Sequence, residues 1–224
     1  MKPRLVDLAL HLLRVGGSAA SLALAPALGP APVAAAAIAV FFASFALMHD
    51  LAHGALRLPR RANEIALSAA GALLLMSGHA LRVSHLRHHA RCLAEDDPEG
   101  APARWSLLRA ALLGPAHSLA LRAHAFRLAG PAGRRWQLAE SALNTASLAL
   151  LLASDSPALI AYALAALAAQ LTMAVWAAHV PHNAPPWLLR AAALVARCGS
   201  IVALSLAYHE RHHARPCLPC GRLG

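Results

Sequence analysis

The chain has 224 residues, 58% of them hydrophobic and 13% charged, and its mean hydropathy of +0.52 excludes an ordinary soluble domain. The formal charge of +10 comes almost entirely from arginines that lie between apolar segments, while aromatic residues make up only 4% of the chain. This pattern is typical of the cytoplasmic loops of a membrane protein rather than of a nucleic-acid-binding surface, so we expect no nucleic-acid partner.

Two membrane spans are predicted near the N-terminus. Residues 5 to 28 begin with a polar stripe of Asp7, His11 and Arg14, spaced by four and three residues, and then become apolar. The stripe fits either the interfacial first turn of a span or a signal peptide. We favour the span because the charged residues interrupt the apolar run. Residues 33 to 48 form a second, uninterrupted span.

Two further apolar segments, residues 63 to 80 and 187 to 207, each lie between histidine clusters. If either segment crossed the bilayer once, the clusters on its two sides would lie at opposite membrane faces and could not share a site. We therefore predict that 63 to 80 is re-entrant, interfacial or a pair of short helices. The second segment is predicted to be a helix in the interface, since Arg190 and Arg197 share one helical face.

An arginine-rich region, residues 104 to 137, is interpreted as amphipathic cytoplasmic helices and loops. A membrane hairpin of residues 138 to 153 and 157 to 178 follows it. With four spans assigned in this way, the loops on one side carry only Asp155, whereas the Lys and Arg residues, Arg14 aside, lie on the other side. The positive-inside rule then places both termini and all histidine clusters at the cytoplasmic face of an inner or plasma membrane.

The predicted fold is therefore all-α, with four transmembrane helices, additional interfacial or re-entrant helices, and a cytoplasmic histidine-rich cap. The sequence contains no evident internal repeat or low-complexity linker. We accordingly assign residues 1–224 to a single membrane-embedded domain.

Three histidine clusters carry the chemistry that the sequence predicts. They contain eight of the fourteen histidines, namely His49 and His53, then His85, His88 and His89, then His209, His212 and His213. Spacings of i, i+4 or i, i+3, i+4 place imidazoles on one face of a helix. One cluster alone fits a solvated helix end, but three at the edges of apolar segments argue against that interpretation. Imidazole suits iron, copper or zinc, and so many ligands imply two ions.

A ninth ligand is expected at the end of the last span. We favour His182 over His179, because one of the two is expected to bond a backbone carbonyl instead. Acids beside the clusters are candidates to accept the second ring N–H of a ligating histidine, namely Asp50, Asp97 and Glu210. Glu95 and Glu99 are interpreted instead as part of an exposed acidic turn.

The remaining polar residues receive simpler interpretations. His79 is predicted to be a polar residue at the mouth of the site rather than a reserve ligand, and Glu140 and Asn144 to form hydrogen bonds between helices. Four scattered cysteines argue against a disulfide framework. Cys217 and Cys220 are interpreted as structural or incidental thiols rather than as half of a zinc site.

With their flanking residues, the clusters resemble the histidine boxes of the membrane fatty acid desaturase superfamily, which includes carotenoid ketolases and hydroxylases. The resemblance covers about residues 40 to 223. It rests on His49-Asp50-x-x-His53-Gly54, on His85-x-x-His88-His89 followed by Asp97-Pro98, and on Tyr208-His209-x-x-His212-His213 followed by Pro216 and Pro219. Each box alone is a weak signal, whereas the three in this order, with a helical hairpin between the second and third, are specific.

This resemblance implies a four-span helical protein with a cytoplasmic centre of two iron ions held by the histidines. Such centres take two electrons and O2 and oxidise an unactivated C–H bond of a lipid. The protein's part is to place one methylene group beside the metal and to exclude competing reactions. No cytochrome-like or ferredoxin-like segment is evident, so we expect a separate electron donor such as a ferredoxin-type protein.

The resemblance leaves three functions open. The preferred function is desaturation of a fatty acyl chain. Residues 61 to 63 and the Val-Pro-His stretch that ends at His182 are similar to bacterial carotenoid ketolases, so a carotenoid ketolase or hydroxylase is the alternative. The third is a membrane metal-binding protein without turnover.

Overall fold

The computed structural model describes residues 2–224, and within this range the chain is helical and contains no β-strand. The helices are α1 (Leu5–Leu24), α2 (Pro30–Ala52), α3 (Arg60–Leu73), α4 (Gly78–Arg91), α5 (Leu107–Leu128), α6 (Pro131–Leu152), α7 (Pro157–Leu171), a π-helix (Ala174–His179), α8 (Val180–Asn183), α9 (Pro186–Ala196), α10 (Ile201–Ala207) and α11 (His209–Ala214). Short 3-10 turns cover Ala25–Leu28, Ala101–Arg104 and Cys220–Arg222. The all-α class predicted from the sequence is confirmed.

The chain forms two compact units. Among the described residues, the first consists of residues 2–79 and Gly130–Ala169, and the second of Ala80–Ala129 and Gln170–Gly224. In the first unit α1 packs on α2, α2 packs on α3, and α3 packs on α6. In the second unit α5 packs on the π-helix, and α9 packs on α10.

Helix α2 contacts both α1 and α3 and supplies much of the apolar core of the first unit. Gly29, with a φ of +106°, turns the chain into this helix, and Pro30 provides a preset φ at its first position. Phe41, Met48 and Leu51 are completely enclosed. Burial on several faces stabilises such an apolar helix, and its C-terminal end carries the first histidine cluster.

The polar stripe of α1 is buried in the first unit. Asp7 and His11 are both enclosed, and His11 Nε2 lies 2.9 Å from the Oδ2 atom of Asp50 on α2. These two residues of the stripe are therefore enclosed by protein, and the interfacial location expected for the first turn stays a prediction. A buried polar ring needs a hydrogen-bond partner, and here the partner is a carboxylate on the neighbouring helix.

Two helical segments are long and apolar enough to cross a membrane, namely Leu5–Leu28 and Pro30–Ala52. Two bent pairs, α3 with α4 and α7 with Ala174–Asn183, raise the number of candidate spans to at most four. Helix α6, which contains all but the last residue of the predicted span 138 to 153, is not among these candidates. These candidate spans support a membrane protein, while the predicted four-span arrangement and its sidedness stay predictions.

Segment 63 to 80 is not one straight helix, because α3 and α4 meet at a bend of 104°. A pair of short helices was one of the arrangements predicted for it. Two glycines permit the close approach of the chain at this bend. A Cβ atom on Gly71 would collide with the Met76 carbonyl group, and one on Gly78 would collide with the Leu67 carbonyl group.

A buried hydrogen-bond network in the first unit joins this bend to α6. The Glu140 carboxylate accepts hydrogen bonds from the hydroxyl groups of Ser68 and Ser77, each at 2.5 Å, and from the His79 backbone N–H at 3.3 Å. His79 Nδ1 lies 2.7 Å from Glu140, and His79 Nε2 lies 2.8 Å from Glu64. The interhelical bonding predicted for Glu140 is confirmed.

His79 itself differs from its predicted place at the mouth of the site. Its side chain is only 2% exposed, and its ring stacks on Trp136 at a centroid distance of 4.8 Å. The reason is that two carboxylates and an aromatic ring enclose it within the first unit, so it serves packing between helices.

Replacing Glu140 by leucine should lower the stability of the detergent-solubilised protein strongly. The substitution leaves the hydroxyl groups of Ser68 and Ser77 and the ring of His79 without this acceptor, at about 1–3 kcal/mol for each buried group. Thermal unfolding monitored by circular dichroism would measure the effect. Thr145→Ala, on an exposed face of the same helix, is the control and should change the unfolding midpoint little. Equal midpoints for the two variants would contradict a stabilising network.

Segment 187 to 207, predicted as one interfacial helix, is divided into α9 and α10. The first helix ends at Ala196, and Gly199, with a φ of +85°, turns the chain before the second helix. Ser200 then caps the second, since its hydroxyl oxygen accepts the Ala203 backbone N–H at 3.3 Å. Neither helix is long enough to cross a bilayer.

Candidate metal centre

Seven histidines of the second unit turn their side chains towards one another. Three lie on α4, three on α11 and one on α8, namely His85, His88 and His89, His209, His212 and His213, and His182. Because positions i, i+3 and i+4 share one face of a helix, the spacing alone brings the imidazoles together within α4 and within α11. The fold of the second unit then brings the two faces and α8 together.

One set, the three-histidine group, consists of His85, His89 and His212. The Nε2 atom of His89 lies 3.3 Å from that of His85 and 2.9 Å from that of His212. Two nitrogens bound to one metal ion at ~2.0–2.1 Å lie roughly 3 Å apart when they are at right angles. The group therefore has the spacing of ligands that share an ion.

A second set, the four-histidine group, consists of His88, His182, His209 and His213. The Nε2 atom of His182 lies 3.3 Å from those of His88 and His209, and the Nε2 atoms of His209 and His213 are 3.1 Å apart. Cys92 lies beside this group, because its Sγ atom and ligand atoms of His88, His182 and His213 are all within 4.8 Å of one another. Cys92 was not predicted from the sequence to lie near the metal site.

Asp97 fixes the orientation of His88. Its Oδ2 atom lies 2.7 Å from His88 Nδ1 and also accepts the Leu93 backbone N–H, while Oδ1 accepts the Gly100 backbone N–H. A carboxylate in this position keeps the proton of the ring on Nδ1, so that the lone pair of Nε2 faces the other histidines. The role predicted for Asp97 is thus supported by its contacts.

Glu99 makes the corresponding contact with His85. Its Oε1 atom lies 2.5 Å from His85 Nδ1. The exposed turn predicted for Glu99 is wrong, because the turn after α4 folds back along the helix and brings this side chain to His85. Two of the three histidines of α4 are therefore held through Nδ1 and present Nε2.

The two carboxylates differ in their protonation. Burial alone would raise the pKa of Asp97, but the hydrogen bonds donated by His88 and by the backbone outweigh it and hold this pKa at about 2. Burial raises the pKa of the Glu99 carboxyl to about 7. At neutral pH Asp97 is therefore fully ionised, whereas both forms of Glu99 are populated.

Gly100→Ala should weaken metal binding without removing any ligand. A Cβ atom at this position would collide with the Asp97 carboxylate and lie 3.1 Å from His88 Nδ1. The carboxylate must then shift away from His88, and the loss of such an orienting contact costs about 10–100-fold in metal affinity. Gly130→Ala is the control, because a Cβ atom there meets no other atom within 4 Å. Competition with a chelator would measure both affinities, and equal values would argue against the positioning of His88 by Asp97.

His182 and His179 have different surroundings. His179 Nδ1 lies 3.0 Å from the carbonyl oxygen of Pro102, whereas His182 belongs to the four-histidine group. His179 is the last residue of the π-helix, and His182 follows it by three residues. The hydrogen bond from the Val180 N–H to the Val175 carbonyl spans five residues instead of four, so the turn contains one extra residue. His182 is thus the residue of this pair that faces the other histidines, and His179 makes a contact with a backbone carbonyl.

The first unit holds the remaining pair. His49 lies in the last turn of α2 and His53 caps it, and their ring centroids are 4.8 Å apart. Asp50 follows His49 in the sequence and is buried, and its Oδ1 atom lies 3.7 Å from His49 Nδ1. Glu210, in contrast, is exposed. Within the described part of the chain its side chain forms no hydrogen bond with a histidine.

The donor set of the second unit fits a transition metal. It consists of imidazole nitrogens with one thiol nearby, which suits iron, copper or zinc rather than magnesium or calcium. Carboxylates contact the Nδ1 side of two of the rings and leave the Nε2 side to the ion. Two groups of three and four nitrogens are more than one ion can use.

The family model described as fatty acid desaturase matches residues 25–224. The chain belongs to the fatty acid desaturase family. This membership confirms the resemblance seen in the sequence and makes the protein an oxidoreductase associated with membranes and lipids. The matched residues include all three histidine boxes and parts of both units. No curated protein and no solved structure matches the chain.

Proposed function

We propose that the protein is an O2-dependent oxidoreductase with two iron ions that oxidises a C–H bond of a membrane lipid, foremost by desaturating a fatty acyl chain. The observation that carries the proposal is the pair of histidine groups in the second unit, in a chain of the fatty acid desaturase family. A single group would suit a structural ion. Two adjacent groups suit the two-metal chemistry that the sequence resemblance implies.

The proposed ligands are the nine histidines assigned from the sequence, namely His49, His53, His85, His88, His89, His182, His209, His212 and His213. Iron bound to them would supply the oxygen chemistry that no side chain of the chain can perform. His179 keeps its backbone contact in this assignment. His49 and His53, of the first unit, complete the nine ligands of this proposal.

The chain's own contribution is to orient the ligating histidines and to offer an apolar surface to lipid. Asp97 holds the proton of His88 on Nδ1, and Glu99 in its ionised form does the same for His85. Both contacts keep Nε2 available and prevent the rings from rotating. Leucines exposed on α5, such as Leu108, Leu112 and Leu119, offer an apolar surface to lipid.

The membrane arrangement and partners follow from the same proposal. Residues 1–224 act as one membrane-embedded domain with four spans, and the metal centre and both termini face the cytoplasm. Electrons come from a separate protein, of which a ferredoxin-type donor is the simplest choice. Arginines of the cytoplasmic loops are suited to dock such an acidic donor.

A carotenoid ketolase or hydroxylase is the second candidate. Residues 61 to 63 and the Val-Pro-His stretch ending at His182 favour it, since both are similar to bacterial carotenoid ketolases. Desaturation and hydroxylation begin with the same hydrogen abstraction, so the ligand set does not separate the two candidates.

Expression with a competent electron donor, followed by analysis of membrane lipids, tests the proposal. New double bonds in acyl chains would support desaturation, while oxygenated carotenoids in a carotene-producing host would support the second candidate. Unchanged lipids and carotenoids, with about two iron ions still bound per chain, would contradict both candidates. The protein would then be a metal-binding protein without turnover.

A further inference from the structure

The N-terminal helix α1 contributes a buried polar residue that the proposed function does not use. His11 is 2% exposed, and its Nε2 atom lies 2.9 Å from Asp50 Oδ2. Its other ring nitrogen, Nδ1, is also buried and makes no hydrogen bond. Asp50 is thus the hydrogen-bond partner of this ring, and α1 lies wholly outside the residues that the family model matches.

Asp50 lies near two histidines, with one in hydrogen-bond contact and the other close enough for an electrostatic contact. One carboxylate oxygen faces His11, and the other lies 3.7 Å from Nδ1 of His49. Asp50 is 1% exposed, so its charge must be compensated by neighbouring groups rather than by water. The three residues therefore form a line from α1 through Asp50 to His49, which precedes Asp50 on α2.

We propose that His11 is a positioning residue of the metal centre, which holds Asp50 so that its second oxygen orients the ring of His49. The proposal rests on the proposed function, because it takes His49 as a ligand. With one oxygen fixed by His11, the carboxylate cannot rotate freely about its Cβ–Cγ bond. The other oxygen then stays on the Nδ1 side of His49 and leaves Nε2 for the ion.

A purely structural role for His11 predicts something different. In that case any loss of the contact would lower the stability of the first unit and leave the metal environment unchanged. A matched pair of substitutions separates these roles. In His11→Gln the amide nitrogen lies close to the position of the wild-type Nε2 atom and can still donate to Asp50. In His11→Asn the amide nitrogen lies close to the position of Nδ1 and cannot reach Asp50.

Titration of the purified full chain with cobalt(II), followed by absorption spectroscopy, provides the measurement, because cobalt(II) bands report the ligands and geometry around each ion. Wild type and His11→Gln should bind two ions with the same spectrum. His11→Asn should bind one of the two ions about 10–100-fold more weakly, with altered bands. Asn63→Ala serves as the control, since it removes a buried hydrogen bond to the Leu51 carbonyl, in the same turn of α2, without touching Asp50.

Two ions bound by His11→Asn with the affinity and spectrum of wild type would overturn the proposal. The same loss in Asn63→Ala would also overturn it, by showing a general effect of destabilising α2. If His11→Asn does not fold, Asp50→Asn replaces it, since this change keeps the size of the side chain and removes the carboxylate. A wild-type chain that binds no cobalt(II) would instead count against the proposed function itself.

Discussion

His88→Ala and His212→Ala should each remove bound iron and abolish lipid oxidation. The two residues represent the two groups, since His88 belongs to the four-histidine group and His212 to the three-histidine group. Loss of a ligand should exceed the ~10–100-fold loss of affinity that follows when only an orienting contact is removed. Iron per chain, measured by elemental analysis after purification, should fall from about two to one or fewer.

His179→Ala is the matched control for these substitutions. It removes a histidine from the same unit, three residues before a proposed ligand, but one whose Nδ1 atom contacts the Pro102 carbonyl. We expect it to keep both ions and to lose only some stability. If His88→Ala and His212→Ala both keep the iron content of wild type, the assignment of the site is refuted. If His179→Ala alone loses iron, the ninth ligand is His179 and not His182.

Asp97→Asn should lower metal affinity and activity by about 10–100-fold. The carboxylate accepts three N–H groups, from His88, Leu93 and Gly100. An amide in either orientation sets its own N–H against at least one of these donors, and the negative charge opposite His88 is lost. The ring of His88 is then no longer held in the tautomer that presents Nε2.

The neighbouring Asp96 supplies the control for this prediction. Asp96 is an exposed residue whose carboxylate pairs with Arg87 and Arg91 at 3.0 Å, and a surface pair of this kind contributes little. Asp96→Asn should therefore retain metal affinity, measured by the same competition assay. Equal losses in the two variants would mean that the charge of the loop matters rather than the contact with His88.

The sequence was sufficient where helical periodicity determines geometry. The spacing of His85, His88 and His89, repeated in α11, predicts two faces of imidazoles, and the structure has both. The alternation of apolar and polar segments likewise predicts the all-α class. For residues 63 to 80 the requirement that the clusters share a membrane face excludes a single crossing, and a pair of short helices was one of the three arrangements it left open.

Residues outside regular periodicity were harder to predict. Glu99 lies in a turn, where the direction of a side chain depends on how the chain folds back, and nothing in its spacing points to His85. His11 was noticed as part of a polar stripe, yet its partner Asp50 is 39 residues away in sequence. Only packing of α1 on α2 reveals this pair. The break at Gly199 depends on a positive φ that hydropathy does not report.

The π-helix after α7 has a consequence for the length of the chain. One residue of an α-helix corresponds to about 100° of rotation, so deleting a residue from Ala174–His179 would turn all that follows relative to α7. His182 would then face another direction although every ligand was still present. The residues of this turn thus matter for their number as well as for their side chains, and an insertion or deletion there should affect the site as the loss of a ligand does.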